Sequence, residues 1–497
     1  LGATMGAAVG VVTYYGDGSN LTGLGLTFFP LSYDPGISST NIPVSSNITL
    51  DWNHPVKAGS GTITIRSGSA AGTVVDQFVV GASSSIRFVN NQVILDPAAD
   101  LSAGVEYFVT YPAGTIKSYG DKYQNDQLIY SFTSKLQTYD VWGWGSNSYG
   151  SLGQNNTTKY SSPVQVSGEY TQLWKTSDSR MVAASKSGTA DSGYDLWTWG
   201  NGGRGALGLN DASNSRSSPT QVPGTTWKEV EGSLWRITAT KTDGTLWTWG
   251  ENAESGGLGL NDRTTRSSPT QVGTDTTWTG AVNCLNGDSS YVYKTDGTLW
   301  VWGENSYGQL GVNTAIDYSS PVQLPGTYST VEGGAASMVV FRKSGGELWT
   351  VGRNVSGGLG QNNETNYSSP VQIPGTTWST ATTGYGGGMA IKTDGTLWSW
   401  GQGLSGMLGL NDEVKRSSPT QVGTDTNWSS TFSMGRTAAA IKTDGTLWMW
   451  GEAGNGELGL NNTGDLSSPT QLGTNTDWTG AVKTTSWNGQ TLAMRTS

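Results

Sequence analysis

The residues that most often carry catalysis are scarce in this chain of 497 amino acids. It has one histidine, His54, and one cysteine, Cys284. A Ser-His-Asp triad or a Cys-His pair needs a histidine beside the nucleophile, and a zinc site ordinarily draws several ligands from Cys and His. We therefore expect no catalytic group and no metal site. His54, next to Pro55, is expected to cap a strand, and Cys284 to pack as a small hydrophobic residue.

Carboxylates are more numerous, and two of them about 5–10 Å apart suffice for glycoside hydrolysis. Many of the 38 acids, however, recur at fixed places in a repeated pattern, in Asp-Gly turns or in Asn-Asp loops. Asp and Asn beside Gly are ordinary turn residues, so this repetition indicates turn formation. The sequence therefore predicts a protein that is not an enzyme and has no cofactor. The repeated acids are Asp211, Asp243, Asp262, Asp296, Asp394, Asp412 and Asp444.

A repeated decapeptide positions these residues. Residues 241–250 read Lys-Thr-Asp-Gly-Thr-Leu-Trp-Thr-Trp-Gly, and close copies lie at 294–303, 392–401 and 442–451. Asp-Gly predicts a two-residue hairpin turn because Gly readily adopts positive φ, and the two Trp at i and i+2 share one strand face. The first Trp recurs every 49 to 55 residues, a period typical of propellers and solenoids. These residues are Trp142, Trp197, Trp247, Trp300, Trp349, Trp398 and Trp448.

The remainder of each repeat supplies enough strands for a propeller blade. Leu-Gly follows the decapeptide, then Ser-Ser-Pro, which occurs seven times, and about four strands fit each repeat. Residues 493–497 match the first half of a hairpin whose second half stands at 140–145. We therefore predict a seven-bladed β-propeller in which the last strand closes the first blade. A further aromatic is expected in each blade: Trp174, Trp227, Trp278, Tyr328, Trp378, Trp428 and Trp478.

Residues 28–134 differ in composition from the repeats. They contain seven short segments in which apolar and polar residues alternate, with turn residues between them, and this pattern predicts a β-sandwich. The phrases at 44–50, 54–65, 101–107 and 130–133 resemble the bacterial Ig-like domain of surface-layer proteins and adhesins. That resemblance implies a spacer or adhesive module. The predicted fold is thus all-β, with a segment at 1–27, an Ig-like sandwich at 28–134, a hinge at 135–139 and the propeller at 140–497.

The repeats are similar to the regulator of chromosome condensation family. The shared motifs are Asp-Gly at 296–297, Trp-Gly-Glu-Asn at 302–305 and Gly-Gln-Leu-Gly at 308–311, and the resemblance covers 140–497. It implies the propeller fold. Eukaryotic members exchange guanine nucleotide on a small GTPase or bind chromatin, through insertions and basic surfaces. In this chain the repeats are spaced evenly, at 49 to 55 residues, which leaves no room for a large insertion. Where the family has a recurrent His, Ala335 and Ala336 follow Gly333-Gly334. Guanine nucleotide exchange is therefore the last of the functions that we consider.

Composition excludes several classes of partner. The net charge is −10, and the acids are spread without a basic stripe that would follow a phosphate backbone, so we expect no nucleic acid partner. No apolar stretch approaches the length of a membrane-spanning helix, so we expect no membrane insertion. A single cysteine rules out a disulfide scaffold.

The first 27 residues suggest a setting for the protein. Residues 14–23, Tyr-Tyr-Gly-Asp-Gly-Ser-Asn-Leu-Thr-Gly, resemble a phrase common in structural and fibre proteins of tailed bacteriophages. The resemblance implies a virion structural protein, namely a tail fibre, spike or capsid appendage. Residues 1–27 would then dock to other virion proteins, and many copies at the virion surface would engage a host glycan or protein through avidity. The alternative is a secreted bacterial adhesin at the cell surface, with an export signal upstream of Leu1.

Candidate binding residues come from positions that vary between repeats. The Trp residues recur once per blade at fixed phase and are expected to form the core between blades. Tyr and Arg on variable loops suit recognition better, although a tyrosine lying flat over a neighbouring blade would give the same pattern. The candidates are Tyr149, Tyr160, Arg216, Arg266, Tyr307, Tyr318, Tyr367 and Arg416.

Overall fold

A computed structural model of the chain comprises two compact units, Leu1–Lys135 and Leu136–Ser497. The phage-like phrase at 14–23, the whole segment 1–27, Cys284 and the Ala335-Ala336 pair lie outside the described residues. No helix in the described part of the chain has the length and apolar character needed to cross a membrane. The structure describes residues 28–119, 128–174, 181–190, 192–233, 235–252, 254–283, 289–333, 337–432, 436–479, 483–484 and 489–496.

The first unit is the predicted β-sandwich. One sheet has the order β1-β3-β8-β7, the other the order β2-β11-β9-β5-β6, and β4 pairs with β10. The strands are β1 Pro30–Asp34, β2 Ser39–Ile42, β3 Ile48–Trp52, β4 Val56–Ala58, β5 Thr62–Ser67, β6 Thr73–Val79, β7 Ile86–Val89, β8 Gln92–Leu95, β9 Glu106–Tyr111, β10 Ile116–Ser118 and β11 Leu128–Ser134.

Alternation within the strands builds the sandwich core. Ile48, Leu50 and Trp52 on β3 are fully buried and share one core with Val109 and Tyr111 on β9. Each of the seven strands predicted from the sequence has its counterpart in the structure. His54 lies in the turn between β3 and β4 and is half-buried.

The second unit contains seven sheets among the described residues, one per blade. The first strands of successive blades lie against one another and therefore line the centre of the ring. Blade 1 is Lys483–Thr484, Gln490–Thr496, Tyr139–Gly145 and Tyr160–Tyr170. Blade 2 is Gln172–Trp174, Met181–Ser185, Trp197–Gly200 and Arg216–Gln221. Blade 3 is Trp227–Gly232, Arg236–Lys241, Leu246–Gly250 and Arg266–Gln271. A hairpin of Gly188–Thr189 and Gly193–Tyr194 adds to blade 3.

The other four blades have the same four-stranded form. Blade 4 is Trp278–Asn283, Ser289–Lys294, Leu299–Gly303 and Tyr318–Leu324, and blade 5 is Thr330–Gly333, Met338–Arg342, Leu348–Gly352 and Tyr367–Ile373. Blade 6 is Trp378–Thr383, Gly387–Lys392, Leu397–Gly401 and Arg416–Gln421, and blade 7 is Trp428–Phe432, Thr437–Lys442, Leu447–Gly451 and Leu466–Gln471. Short 3-10 turns occur at Gly203–Gly205 and Leu404–Gly406.

The predicted closure of the ring is confirmed. The strand Gln490–Thr496 pairs antiparallel with Tyr139–Gly145 along its whole length, from Tyr139 opposite Thr496 to Gly145 opposite Gln490. Blade 1 is therefore assembled from both ends of the propeller sequence, which leaves neither strand as a free sheet edge.

A hydrogen bond between consecutive blades recurs seven times around the ring. The backbone N–H of an Asn in each Leu-Gly loop donates to the carbonyl of the first Ser of Ser-Ser-Pro in the next blade, at 2.7–3.0 Å. The last of these bonds, from Asn461 to Ser161, returns from blade 7 to blade 1. Gly150 in the same loop has φ +76°, and an added Cβ would lie 2.5 Å from the Ser217 backbone, so only Gly fits there. The donors are Asn155, Asn210, Asn261, Asn313, Asn362, Asn411 and Asn461.

The second Trp of each decapeptide fastens neighbouring blades through its indole. Trp450 is fully buried, and its Nε1 donates to the Met407 carbonyl of blade 6 at 3.0 Å. Blade 5 has Val351 instead, and the corresponding carbonyl of blade 4, that of Gln309, accepts a bond of 2.5 Å from the Tyr291 hydroxyl of the same blade. The other indole donors across blades are Trp144, Trp199, Trp249, Trp302 and Trp400.

Tyr291→Phe is expected to lower the free energy of unfolding by about 1–2 kcal/mol, because it leaves the buried Gln309 carbonyl without a donor. Tyr293→Phe is a matched control, since the buried Tyr293 hydroxyl has no hydrogen-bond partner in the described structure. Urea unfolding of both variants measures the difference. Equal effects would show that the Tyr291 hydroxyl does not replace the missing indole.

One prediction about the repeat was wrong. Trp174 was predicted to be the further aromatic of its repeat, but the structure gives Tyr170 the equivalent position, beside Lys186. The Tyr170 hydroxyl donates to the Ser167 carbonyl at 3.0 Å, as the Tyr328 hydroxyl of blade 5 does to Pro325 at 3.3 Å. Trp174 instead contacts Tyr194 of the added hairpin. Tyr170 follows Pro163 by seven residues, the same distance that separates Tyr328 from its own Ser-Ser-Pro proline.

Candidate functional site

The decapeptide forms a chain of hydrogen bonds that orients its first Trp. In blade 3 the Asp243 carboxylate accepts bonds from the Thr245 N–H at 3.0 Å and the Thr245 hydroxyl at 2.6 Å. The Thr245 oxygen in turn accepts from the Trp247 Nε1 at 2.8 Å. These hydrogen bonds hold the pKa of Asp243 below its usual range, and the bond from the Thr245 hydroxyl has the largest effect. The same arrangement recurs at Asp296, Asp394 and Asp444.

In every blade one cation lies near two aromatic rings, an arrangement we call the clamp. In blade 3 the Lys241 ammonium lies 4.7 Å from the Trp227 ring centroid and 4.5 Å from that of Trp247. The distances in all seven clamps are 3.8–5.9 Å, within the range of cation–π attraction. The clamps are Arg495 with Trp142 and Trp478, Lys186 with Tyr170 and Trp197, Lys241 with Trp227 and Trp247, Lys294 with Trp278 and Trp300, Lys343 with Tyr328 and Trp349, Lys392 with Trp378 and Trp398, and Lys442 with Trp428 and Trp448.

An acidic residue neutralises the clamp cation in three blades. Asp275 accepts from Lys294 at 2.5 Å in blade 4, and Asp425 from Lys442 at 2.6 Å in blade 7. In blade 1 Asp477 holds Arg495 through two bonds of 2.9 Å. In blades 2, 3, 5 and 6 the described residues place no carboxylate within ion-pair distance of the clamp lysine. The loop before the first strand explains the difference, since it reads Gly-Thr-Asp or Gly-Thr-Asn-Thr-Asp in the neutralised blades.

Asp275→Asn is expected to lower the free energy of unfolding at pH 7 by about 0.5–1 kcal/mol, because the carboxylate is partly solvated. The hydrogen bond from Lys294 lowers the pKa of Asp275 to about 2, below its ordinary value near 4. A lowered pKa gives stability that is present above the ordinary value and is lost as the pH falls through the folded one. The gap in Tm between wild type and variant should therefore narrow from pH 4 to pH 2. An unchanged gap, or an equal one for the exposed Glu254→Gln, would contradict this assignment.

Two of the clamps border clefts between consecutive blades. In blade 1 a cavity of about 400 Å³ is lined by Trp142, Trp478, Arg495, Pro163 and Leu460. In blade 6 a cavity of about 270 Å³ is lined by Trp378, Trp398, Lys392, Pro374 and Pro419. Each cavity combines one clamp with the proline of Ser-Ser-Pro and with the Leu-Gly loop of the preceding blade. Such apolar clefts with a few polar groups are the usual form of small ligand sites.

The loop residues predicted as binding candidates are held within their own loops. Arg266 and Arg416 form ion pairs of 2.6 Å with Asp262 and Asp412, four residues earlier, and Arg216 lies 3.4 Å from Asp211. The hydroxyls of Tyr160 and Tyr367 accept from Asn156 at 3.1 Å and Asn363 at 3.2 Å.

The remaining candidates are Tyr318, Tyr307 and Tyr149. Tyr318 packs against the hydrophobic cores on both sides of blade 4. Tyr307 lies under Arg353, whose guanidinium carbon is 5.1 Å from the ring centroid, and Tyr149 is exposed. The structure does not bring the eight candidates together at one site, and their role in binding stays a prediction.

The clamp lysines were not singled out from the sequence, although they open every close copy of the decapeptide. The sequence of the loop before the first strand indicates which clamp cation is neutralised. Some blades have Pro-Gly-Thr or Ser-Gly there, and others have Gly-Thr-Asp. Among the described residues, no group of three or more His, Cys, Asp or Glu side chains is placed to hold a metal ion.

Comparison with known proteins agrees with both units. Residues 31–134 match the bacterial Ig-like domain family, and residues 140–190, 195–232, 296–339 and 394–440 match the regulator of chromosome condensation (RCC1) repeat. The ultraviolet-B receptor UVR8 of Arabidopsis thaliana is 27% identical over 192 residues, which are 37% of this chain and 42% of the receptor. The chain thus matches less than half the length of that relative.

Solved propellers share the fold at low sequence identity. Prp20p from Saccharomyces cerevisiae has a TM-score of 0.63 at 17% identity, over 73% of this chain and 92% of Prp20p. Human WBSCR16 has a TM-score of 0.61 at 17% identity, over 72% of this chain and 99% of WBSCR16. The protein is therefore a bacterial Ig-like domain followed by a seven-bladed propeller of the regulator of chromosome condensation type.

Proposed function

We propose that this protein is a non-enzymatic binding protein that presents its propeller to a glycan or protein at an external surface. The observation that carries the proposal is the ring of seven clamps, which share one rigid framework and differ in charge. Four clamp lysines form no ion pair in the described structure, whereas three clamp cations are neutralised. A rigid scaffold with differing surface groups suits recognition.

The Ig-like domain favours an adhesin-like setting at the bacterial cell surface. The virion setting, with residues 1–27 docking to other virion proteins, is supported by the phrase at 14–23 alone. In either setting several copies side by side would strengthen weak single contacts through avidity. Guanine nucleotide exchange ranks last. Prp20p is described with binding properties to Gsp1p and histones, but a likeness at 17% identity supports the fold alone.

A binding screen tests the proposal. The full chain is applied to a glycan array and to intact bacteria, and bound protein is measured before and after thermal unfolding. We expect retained binding to a defined subset of glycans or cells, which unfolding abolishes. Tyr318→Ala and Tyr367→Ala test whether the loop candidates take part. Absence of binding to every glycan and cell type would contradict the proposal.

The setting is tested separately with antibodies against the Ig-like domain. Labelling of purified phage particles would support the virion assignment, and labelling of bacterial surfaces would support the adhesin. Labelling of neither would contradict both settings.

A further inference from the structure

We propose that the cleft between blades 5 and 6 binds a carboxylated sugar, an inference that rests on the proposed surface-binding function and names its ligand class. The cleft contains the clamp of Lys392, Trp378 and Trp398. The reasons lie in its hydrogen-bonding groups, its size and its contrast with the other blades.

The charged group that lines the cleft is a lysine without an ion-pair partner. The Lys392 ammonium is 3.8 Å from the Trp398 ring centroid and 5.0 Å from that of Trp378, and the described residues place no carboxylate within ion-pair distance of it. An ammonium without an anionic partner selects a ligand that carries anionic oxygens.

The walls of the cleft suit a sugar ring rather than an isolated anion. Two indoles and two prolines, Pro374 and Pro419, provide apolar surface, and Gln361 and Asn362 also line the cavity. The cavity of about 270 Å³ is slightly smaller than most ligand pockets and matches one ring rather than an extended chain. Apolar faces for the ring and an ammonium for the carboxylate together describe a carboxylated pyranose.

Other blades lack one part of this combination. In blade 7 Asp425 pairs with Lys442 at 2.6 Å, and in blade 4 Asp275 pairs with Lys294 at 2.5 Å. In blade 1 Asp477 holds Arg495. Blade 3 repeats the clamp with Lys241, but the added hairpin pairs there with the first strand, Tyr194 opposite Trp227. Blades 2 and 5 carry tyrosines, Tyr170 and Tyr328, whose hydroxyls are already bonded to the backbone.

Saturation-transfer NMR with the full chain tests the site, with D-glucuronate, D-glucose and acetate as probes. Glucuronate should bind at least about tenfold more tightly than either control, since only it combines the ring with the carboxylate. Lys392→Met keeps the aliphatic stem between the indoles and should weaken glucuronate binding by about tenfold or more. Lys442→Met is the matched control and should leave the affinity unchanged.

Each result decides the inference. Wild-type affinity of a folded Lys392→Met variant, with its fold checked by its Tm, would overturn it. Equal binding of glucose would refute the role of the carboxylate, and equal binding of acetate would refute the role of the ring. Array binding without preference for acidic glycans would defeat this inference and leave the proposed function intact. Glucuronate binding through Lys392 without any array or cell binding would do the reverse.

Discussion

Deletion of the strand Gln490–Thr496 is expected to abolish cooperative unfolding of the propeller. This strand supplies the whole partner edge of Tyr139–Gly145 and buries Leu492, Ala493 and Met494. Its loss would open the ring and expose the edge strand and two hydrophobic cores, one on each side of blade 1. A native domain is stable by only about 5–15 kcal/mol, so the loss of a full central strand exceeds what the rest can offset.

Calorimetry and near-ultraviolet circular dichroism measure this effect. The truncated chain should lose the propeller transition, while the Ig-like unit, which has its own core, should keep a transition. A synthetic peptide of residues 489–497 added in trans should restore part of the signal, and a scrambled peptide should not. A truncated chain with the wild-type transition would show that the strand pairing does not hold the ring together.

The second large effect is expected for Trp450→Ala, which should lower the free energy of unfolding by about 3–5 kcal/mol. The indole is fully buried between blades 6 and 7, and its removal leaves a cavity. The substitution also leaves the Met407 carbonyl without its hydrogen-bond donor. If no water replaces the indole, this loss costs a further 1–3 kcal/mol, roughly, of the free energy of unfolding.

Trp448→Ala is the matched comparison because it lies two residues earlier on the same strand face. Trp448 is half-buried in the clamp of Lys442, so its loss should cost about 1–2 kcal/mol. Urea denaturation followed by circular dichroism gives both values. Equal costs would contradict the assignment of the second Trp, rather than the first, as the residue that joins the blades.

Much of the fold could be predicted because its rules act over short distances. Asp-Gly needs only its own backbone to form a turn, and two Trp at i and i+2 necessarily share a strand face. Closure was also visible, since the two halves of one hairpin stood at 140–145 and 493–497. These features predicted the blades, their number and the sandwich before them.

The failures concern contacts that depend on how a loop curves. Trp174 follows Pro163 by 11 residues, whereas the other blades place their aromatic 7 to 9 residues after that proline, and Tyr170, at 7 residues, takes the position. Arg266 and Arg416 were predicted as binding candidates, but each loop folds back so that an Asp four residues earlier forms an ion pair with the guanidinium. A loop residue that varies between blades can therefore reflect pairing with a second residue of the same loop as much as recognition of a partner.

The sequence by itself determined the strands, their order and the ring, because turns, alternation and a repeated unit are encoded in neighbouring residues. Only the tertiary structure decided the site. The lining of the Lys392 cleft comes from separate segments between residues 360 and 419 in two blades, and its charge depends on whether a further loop delivers an acid, as Asp425 does beside Lys442. Contacts between distant segments follow from packing and burial, so no local sequence pattern predicts which clamp lysine is left without an ion pair.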